Sequence, residues 1–350
     1  MLTGARAGSV KLDALLSEPD LGEVGRLARY LEDLGYDGLM VPEIKRDPFL
    51  PLALAAGPTE RMALGTSVAV ALPRNPIHLA QIGHDLQTVS GGRCILGLGS
   101  QVRAHIEQRF SAEWSRPAAR IEELVRALRA IWRCWNDGVP LDFEGQFYRH
   151  VRMGEQFDPG PTGHGPPRVY LGAVGEKMTE VAGRVADGLF VHGIATERYL
   201  RQVTMPAVER GLAAAGRRRA EIEVCLVLFA ITGDTDEEVA DAREAVRRQI
   251  AFYGSTPAYR PVLEAHGWDP LQAELNRLSK LGRWDDMAAL VPDEMVAALS
   301  LDTSVEDAGA VITRRFGDLA DRVALYGPYR HRPGHWAGLI ERLSPRVAVA

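Results

Sequence analysis

Hydrophobic positions fall into short, nearly continuous apolar runs along the chain, and segments with helical periodicity separate these runs. Continuous apolar runs are typical of parallel strands that are buried on both faces. We expect eight such strands, at residues 9–16, 38–43, 62–72, 94–100, 168–174, 188–193, 222–232 and 322–327.

The segments between the runs carry helix signals. Asp20 is expected to cap a helix that ends at Gly35, and the pair Asn75-Pro76 is expected to start another. Apolar residues recur at i, i+3, i+4 and i+7 over 117–135. Eight alternations of strand and helix predict an α/β fold of the (β/α)8 TIM-barrel type.

The chain is longer than a plain barrel. Its 350 residues exceed the typical size of about 250, so a single barrel domain over 1–350 requires two insertions. We place a β-hairpin with its following loop at about 138–167, with the turn at Glu144-Gly145, and a helical insertion at about 251–316. Such insertions form lids, oligomer contacts or packing subdomains.

Charge and composition exclude several classes of protein. A net charge of −5 argues against nucleic-acid binding, and no apolar run reaches the 18 residues of a membrane span. The N-terminus has no long apolar stretch, so no secretory signal is expected. Cys94, Cys134 and Cys225 form no CxxC pair, which favours reduced thiols in a cytoplasmic protein.

Two familiar nucleotide motifs and a metal site are not indicated. The stretch "GLGSQV" places Val102 where a dinucleotide fingerprint needs its third glycine. No phosphate-binding G-x-x-x-x-G-K-[ST] sequence occurs, and the nine histidines show no metal-ligand spacing.

The carboxyl ends of barrel strands are where active sites form. Glu43, His105 and His192 fall at or after such ends and are candidates for contacts with a ligand. An unpaired acid facing the mouth costs free energy unless something uses it, which favours a functional role for Glu43. In "GAVGEKM" (172–178), the N–H groups of a helix start favour phosphate binding. An ordinary strand–helix turn is the alternative, and the charge of Glu176 opposes a phosphate unless Lys177 offsets it.

Four arginines follow the fourth strand. They form either a solvated helix face or a receptor for an anionic tail, and they are Arg103, Arg109, Arg116 and Arg120.

Three stretches resemble the luciferase-like monooxygenase superfamily, and within it the coenzyme F420-dependent oxidoreductases. They are "DPFLPLALAAGPTERMALGTSVAVALPRNPIHLA", "TVSGGRCILGLGSQVRAHIEQRF" and "VYLGAVGEKMTEVAGRVADGLFVHG". The segment "RRQIAFYGSTPAYRPVLEAHGW" is typical of one F420-dependent subgroup. The resemblance covers about residues 10–330.

The resemblance implies a TIM barrel that holds a flavin or deazaflavin at its mouth. The cofactor ring would lie against a bulge in the third strand, with a cis peptide at Ser67–Val68 and with Val70 beside it. Glu43 would touch the ring. The turn after the fourth strand would contact the ring edge and ribityl chain through Gly99, Ser100, Gln101 and His105. The loop after the fifth strand would wrap the phosphate with Ala173, Val174, Gly175 and Glu176.

The chain departs from the superfamily's sugar-phosphate dehydrogenases at two catalytic positions. Ile44 and Val102 stand where those enzymes have a histidine and a glutamate. The expected reaction is therefore hydride transfer between coenzyme F420 and another small organic molecule, with His192 and Glu43 as candidate catalytic residues. The alternatives are an FMN-dependent monooxygenase and a cofactor-binding module without catalysis. By resemblance, we expect a homodimer and a separate enzyme that reduces the F420 or the flavin.

Overall fold

The computed structural model describes residues 10–18, 20–329 and 334–343, with side chains up to residue 340. Eight parallel strands form a closed barrel, and each lies within one of the predicted runs. They are β1 (Lys11–Leu15), β2 (Gly38–Val41), β3 (Ala63–Thr66 and Ala69–Val70), β4 (Cys94–Gly99), β5 (Arg168–Ala173), β6 (Gly188–Val191), β7 (Glu223–Ile231) and β8 (Arg322–Tyr326).

Strand pairing closes the barrel at both seams. Lys11 of β1 pairs with Arg322 of β8, and Gly188 of β6 pairs with Glu223 of β7. The predicted TIM barrel is therefore confirmed. The carboxyl ends of the strands form one end of the barrel, called the mouth below.

Helices surround the barrel and connect consecutive strands. Before β6 they are Val24–Leu34, Phe49–Ala56, Pro76–Val89, Arg103–Gln108, Pro117–Asp137 and Glu176–Val185. After β6 a continuous helical segment comprises Glu197–Tyr199, the π-helix Leu200–Thr204 and Met205–Ala214. Val305–Phe316 precedes β8, and Ala337–Leu343 follows it.

The helix-end predictions have mixed outcomes. The Asn75 side chain accepts a hydrogen bond from the Ile77 N–H at 3.0 Å, and Gly35 ends its helix in the left-handed region. The prediction that Asp20 caps a helix is wrong. That helix begins only at Val24, because the intervening residues form a turn and the Asp20 carboxylate accepts the N–H of Gly22 instead.

A two-stranded antiparallel ladder lies where the sequence predicts a hairpin. Phe143–Glu144 pairs with Arg149–His150. The Glu123 carboxylate fixes the connecting turn to the helix Pro117–Asp137, since it accepts the backbone N–H groups of Phe147 and Tyr148 at 2.6 and 2.8 Å.

A set of helices between β7 and Val305–Phe316 covers part of the mouth and is called the helical cap. Its helices are Asp236–Gly254, Arg260–Glu264, Asp269–Lys280, Trp284–Ala289 and Asp293–Leu299. They enclose a second hydrophobic core, distinct from the main core between barrel and outer helices. The predicted insertion at 251–316 has different limits, because the cap starts earlier and Val305–Phe316 packs in the main core.

Candidate cofactor and substrate site

The third strand is interrupted at the mouth by a bulge. The Ser67–Val68 peptide bond is cis, as the resemblance predicts. The Ser67 N–H donates to the Val41 carbonyl at 2.9 Å, and Val70 resumes pairing with Gly99 of β4. The bulge is therefore fixed to β2 on one side and to β4 on the other.

The Val68 side chain packs against glycines of the next two strands. A Cβ at Gly99 would lie 2.5 Å from Val68 Cγ2, and a Cβ at Gly172 would lie 3.2 Å from Val68 Cγ1. A side chain at Gly99 is therefore excluded without a shift of the bulge. These contacts bring β3, β4 and β5 together around one partly exposed valine.

Glu43 is bound on both oxygens, which corrects the premise that this carboxylate is unpaired. One oxygen accepts the Val70 N–H at 2.7 Å, and both accept from the Arg74 guanidinium at 2.7 and 3.1 Å. The Glu43 side chain is only 7% exposed. Such a carboxylate is well placed to hold the bulge, and its contact with a cofactor ring and its catalytic role stay predictions.

Polar groups in the turn after β4 form hydrogen bonds with one another. Gln101 has a φ of 57°, and its side-chain oxygen accepts the Val102 N–H at 3.0 Å. The Ser100 hydroxyl donates to the Gln101 carbonyl at 3.2 Å. His105 lies exposed on the short helix that follows. Contacts from these three residues to a cofactor stay a prediction.

The loop after β5 leads into a helix whose first N–H groups are open. Gly175 precedes the helix Glu176–Val185, and the described structure shows no side-chain cap on that terminus. A Cβ on Gly175 would meet no atom within 4 Å, so free space lies in front of the helix start. The Tyr199 hydroxyl donates to the Val174 carbonyl at 3.2 Å and holds the loop, and Ala173 ends β5 as a buried residue.

Glu176 does not oppose an anion as strongly as its position suggests. Its carboxylate accepts a hydrogen bond from Arg210 at 2.7 Å. The compensating cation is therefore Arg210, which could not be recognised from the local sequence, and not Lys177.

His192 follows β6 and lies under two tyrosines of the helical cap. Its ring centroid is 4.5 Å from that of Tyr253 and 4.7 Å from that of Tyr259. Burial lowers the pKa of His192 to about 4, so the imidazole is neutral near neutral pH. Nδ1 accepts the Ile194 N–H at 3.2 Å, which places the proton on Nε2.

Sequence reasoning missed Arg74, Tyr199, Tyr253 and Tyr259. Arg74 and Tyr199 act through contacts between residues far apart in sequence. Tyr253 and Tyr259 occur in the quoted segment "RRQIAFYGSTPAYRPVLEAHGW", but nothing in the local sequence assigns a partner to either.

The part of the chain that the structure describes holds neither a metal-ligand cluster nor a membrane-spanning helix. Within the described ranges, no group of three or more His, Cys, Asp or Glu side chains is arranged to hold a metal ion. Likewise, none of the described helices is both long and apolar enough to cross a membrane.

The comparisons with known proteins identify the family. The model of the luciferase-like monooxygenase family matches residues 4–321. The chain belongs to this family, as its sequence motifs indicate. An uncharacterized protein of Mycobacterium tuberculosis is 50% identical over 320 residues, which cover 91% of this chain and 93% of the relative. A 5,10-methylenetetrahydromethanopterin reductase of Archaeoglobus fulgidus is 26% identical over 295 residues, covering 81% and 83% of the two chains.

A solved structure of similar architecture is the coenzyme F420-dependent tetrahydromethanopterin reductase of Methanopyrus kandleri. Its TM-score is 0.76 at 21% sequence identity, and the match covers 95% of this chain and 97% of that one. At this identity the likeness concerns the fold alone.

Proposed function

We propose that the protein is an F420-dependent oxidoreductase that transfers a hydride between the deazaflavin and a small organic substrate. The observation that carries this proposal is that the bulge of β3 and the open helix start meet at β5. Gly172 of β5 packs against Val68 of the bulge, and the open helix start at Gly175 lies in the loop that follows β5. A flat ring and a phosphate of one cofactor would thus find adjacent partners.

The residues present suit such a cofactor. Ser67, Val68 and Val70 would support the ring, and the N–H groups at Val174 and Gly175 would bind the phosphate. When bound, the deazaflavin supplies the carbon that gives or accepts the hydride. The names of the Archaeoglobus and Methanopyrus proteins support a reductase of this kind.

The chain's own contribution is to position the reactants and to exclude water. The Glu43–Arg74 pair holds the bulge, and the helical cap covers the mouth on the side of β6 and β7. Hydride transfer depends mainly on such positioning. The neutral His192 presents an N–H donor that can bind an oxygen of the substrate.

Titration of the purified chain with F420 and, separately, with FMN tests the proposal. We expect F420 to quench protein fluorescence saturably and with higher affinity than FMN. Tight binding of FMN without binding of F420 would overturn the proposal and favour the FMN-dependent monooxygenase. Failure to bind either cofactor would favour a member of the family without this chemistry.

Two further expectations belong to this proposal. Reduced cofactor would come from a separate F420-reducing enzyme, and the chain would work as a homodimer. Leu50 and Leu54 leave apolar surface exposed on the helix Phe49–Ala56, which suits a contact between copies. Light scattering of the purified chain would show the mass of a dimer if this is right.

A further inference from the structure

Five aromatic side chains gather at the carboxyl ends of β6, β7 and β8, and we call them the aromatic wall. They are His192, Phe229, Tyr253, Tyr259 and Tyr326. Phe229 lies 6.1 Å from Tyr253 and 5.7 Å from Tyr326 between ring centroids. Phe229 is buried at the base of the wall, and the other four members keep part of their surface exposed.

The wall is formed by strands other than those of the bulge and the Gly175 loop. The bulge and that loop belong to β3, β4 and β5, whereas the members of the wall come from β6, β7, β8 and the cap. With a cofactor held at the first set of strands, the wall would line the remaining part of the mouth. That part is where a substrate would meet the cofactor.

Specific contacts anchor the segment of the cap that carries Tyr259. The Thr196 hydroxyl and His266 Nε2 are hydrogen-bonded at 2.7 Å. His266 stacks on Trp268 with centroids 4.1 Å apart, and the Trp268 indole N–H donates to Glu294 at 3.0 Å. Tyr259 therefore occupies a defined position over His192.

The wall itself carries no formal charge near neutral pH. Burial alone lowers the pKa of His192 to about 4 and raises that of Tyr259 to about 12. Both side chains are thus uncharged near neutral pH. Two nearby cations already have partners, since Arg260 of the cap pairs with Glu264 and Arg198, on the helical segment after β6, donates to the Ala265 carbonyl.

Besides the hydroxyls of its three tyrosines, the wall contains the imidazole N–H of His192. Nδ1 is occupied by the Ile194 N–H, and Nε2 has no hydrogen-bond partner among the described residues. A buried or half-buried donor gains from meeting an acceptor, while aromatic faces favour flat apolar groups.

We propose that the aromatic wall is the substrate subsite and that it takes an uncharged, planar apolar molecule whose carbonyl oxygen accepts the His192 Nε2–H. The proposal rests on the proposed function for the identity of the reaction. We expect the wall to disfavour anionic substrates, because none of its five side chains carries a positive charge to replace the water around a carboxylate or phosphate.

Three naphthalene probes test this subsite by direct binding to the purified chain. They share one ring system and are 2-acetylnaphthalene, 2-naphthoate and 2-ethylnaphthalene. Calorimetry without cofactor and with saturating F420 measures each affinity. We expect the ketone to bind roughly tenfold more tightly than either other probe, and F420 to leave the affinity of the ketone unchanged.

Variants assign the binding to the wall. We expect Tyr259→Ala to lower the affinity for all three probes. Tyr259→Phe keeps the ring and should keep the affinity. His192→Leu should abolish the preference for the ketone over 2-ethylnaphthalene. Phe157→Ala is the matched control, because Phe157 is 66% exposed and lies outside the wall. Circular dichroism checks folding, and His192→Asn replaces the leucine variant if that one does not fold.

The outcomes separate the two proposals. Equal or tighter binding of 2-naphthoate, displacement of the ketone by F420, or full binding by Tyr259→Ala would overturn the subsite. If F420 does not bind, the proposed function fails, and the comparison of the three probes on the unloaded chain still decides the subsite.

Discussion

Glu43 connects the end of β2 to the bulge of β3 through the Val70 N–H and the Arg74 guanidinium. Arg74 also donates to the Val70 carbonyl at 2.7 Å. One carboxylate therefore holds both the backbone of the bulge and the cation that braces it.

Removal of the Glu43 carboxylate is expected to destabilise the fold. Glu43→Ala leaves a guanidinium that is 19% exposed without its main partner and leaves the Val70 N–H unpaired. We expect a loss of roughly 2–3 kcal/mol, because partial hydration of Arg74 softens the cost of a buried pair. Urea unfolding measures it. Asp47→Asn, which changes the exposed second partner of Arg74, is the control and should cost less than about 0.5 kcal/mol.

His192 is expected to reduce stability in acid. Its pKa is about 4 in the fold, whereas an unfolded histidine titrates near 6.5. Between these values the unfolded chain binds more protons, so the free energy of unfolding falls as the pH drops from about 6.5 to about 4. Above that window the protonation of His192 contributes no pH dependence.

Unfolding at about pH 7 and about pH 4.5 measures this effect. We expect His192→Gln to lose less stability between the two than the wild type. His105→Gln removes an exposed imidazole and should behave as the wild type does. Equal losses of unfolding free energy in all three proteins would show that the burial of His192 does not reduce stability in acid.

The loop and helix after β5 form the element on which phosphate binding depends. Gly175 has a φ of −76° and open space around its missing side chain, so the fold accepts other residues there. Gly175→Ala should change stability by less than about 1 kcal/mol. Gly175→Asp should weaken F420 binding roughly tenfold or more, because it brings a negative charge to the phosphate.

Glu176→Gln is the control for that loop. It removes a carboxylate that already pairs with Arg210, so we expect F420 affinity to be kept or increased. Fluorescence titration compares the variants. Wild-type affinity in Gly175→Asp would place the phosphate elsewhere.

At the level of elements, the sequence predicts the strands well and their contacts poorly. Continuous apolar runs mark all eight strands, because a strand covered on both faces has little room for polar residues. The pairing of Glu43 with Arg74 joins residues on separate connections, and the stacking of Tyr259 on His192 depends on how the cap folds over the mouth. Neither is encoded in local periodicity, which is why Glu43 was expected to be unpaired.

At the scale of the whole molecule, the two ends of the barrel differ in chemistry. The mouth holds the bulge, the Gly175 loop and the aromatic wall. The opposite end contains a buried ion pair between Arg322 of β8 and Asp13 of β1, the strands that meet at one seam. The Arg322 Nε donates to Asp13 at 2.8 Å, and Gly38 leaves the room for this pair, because a Cβ there would lie 2.4 Å from the Asp13 carboxylate.

The last prediction concerns the ion pair between Arg322 and Asp13, called the seam pair. The side chains of Arg322 and Asp13 are 3% and 2% exposed, so Arg322→Met leaves a buried carboxylate without its cation. We expect a loss of about 3–5 kcal/mol in the free energy of unfolding. The double variant Asp13→Leu/Arg322→Met should recover most of it, since two apolar side chains need no compensation.

A second arginine at the same end of the barrel shows how much of the expected loss of stability depends on burial of the charge. Arg168 pairs with Glu223 at 3.2 Å but is 44% exposed, so Arg168→Met should cost no more than about 1 kcal/mol. Urea unfolding of the wild type, Asp13→Leu, Arg322→Met and the double variant gives the coupling between the two seam residues directly. A double variant that loses as much stability as Arg322→Met alone would mean that the pair itself closes the barrel. Recovery in the double variant would mean instead that the pairing of β1 with β8 and apolar packing close the barrel. The ion pair would then not be required for closure.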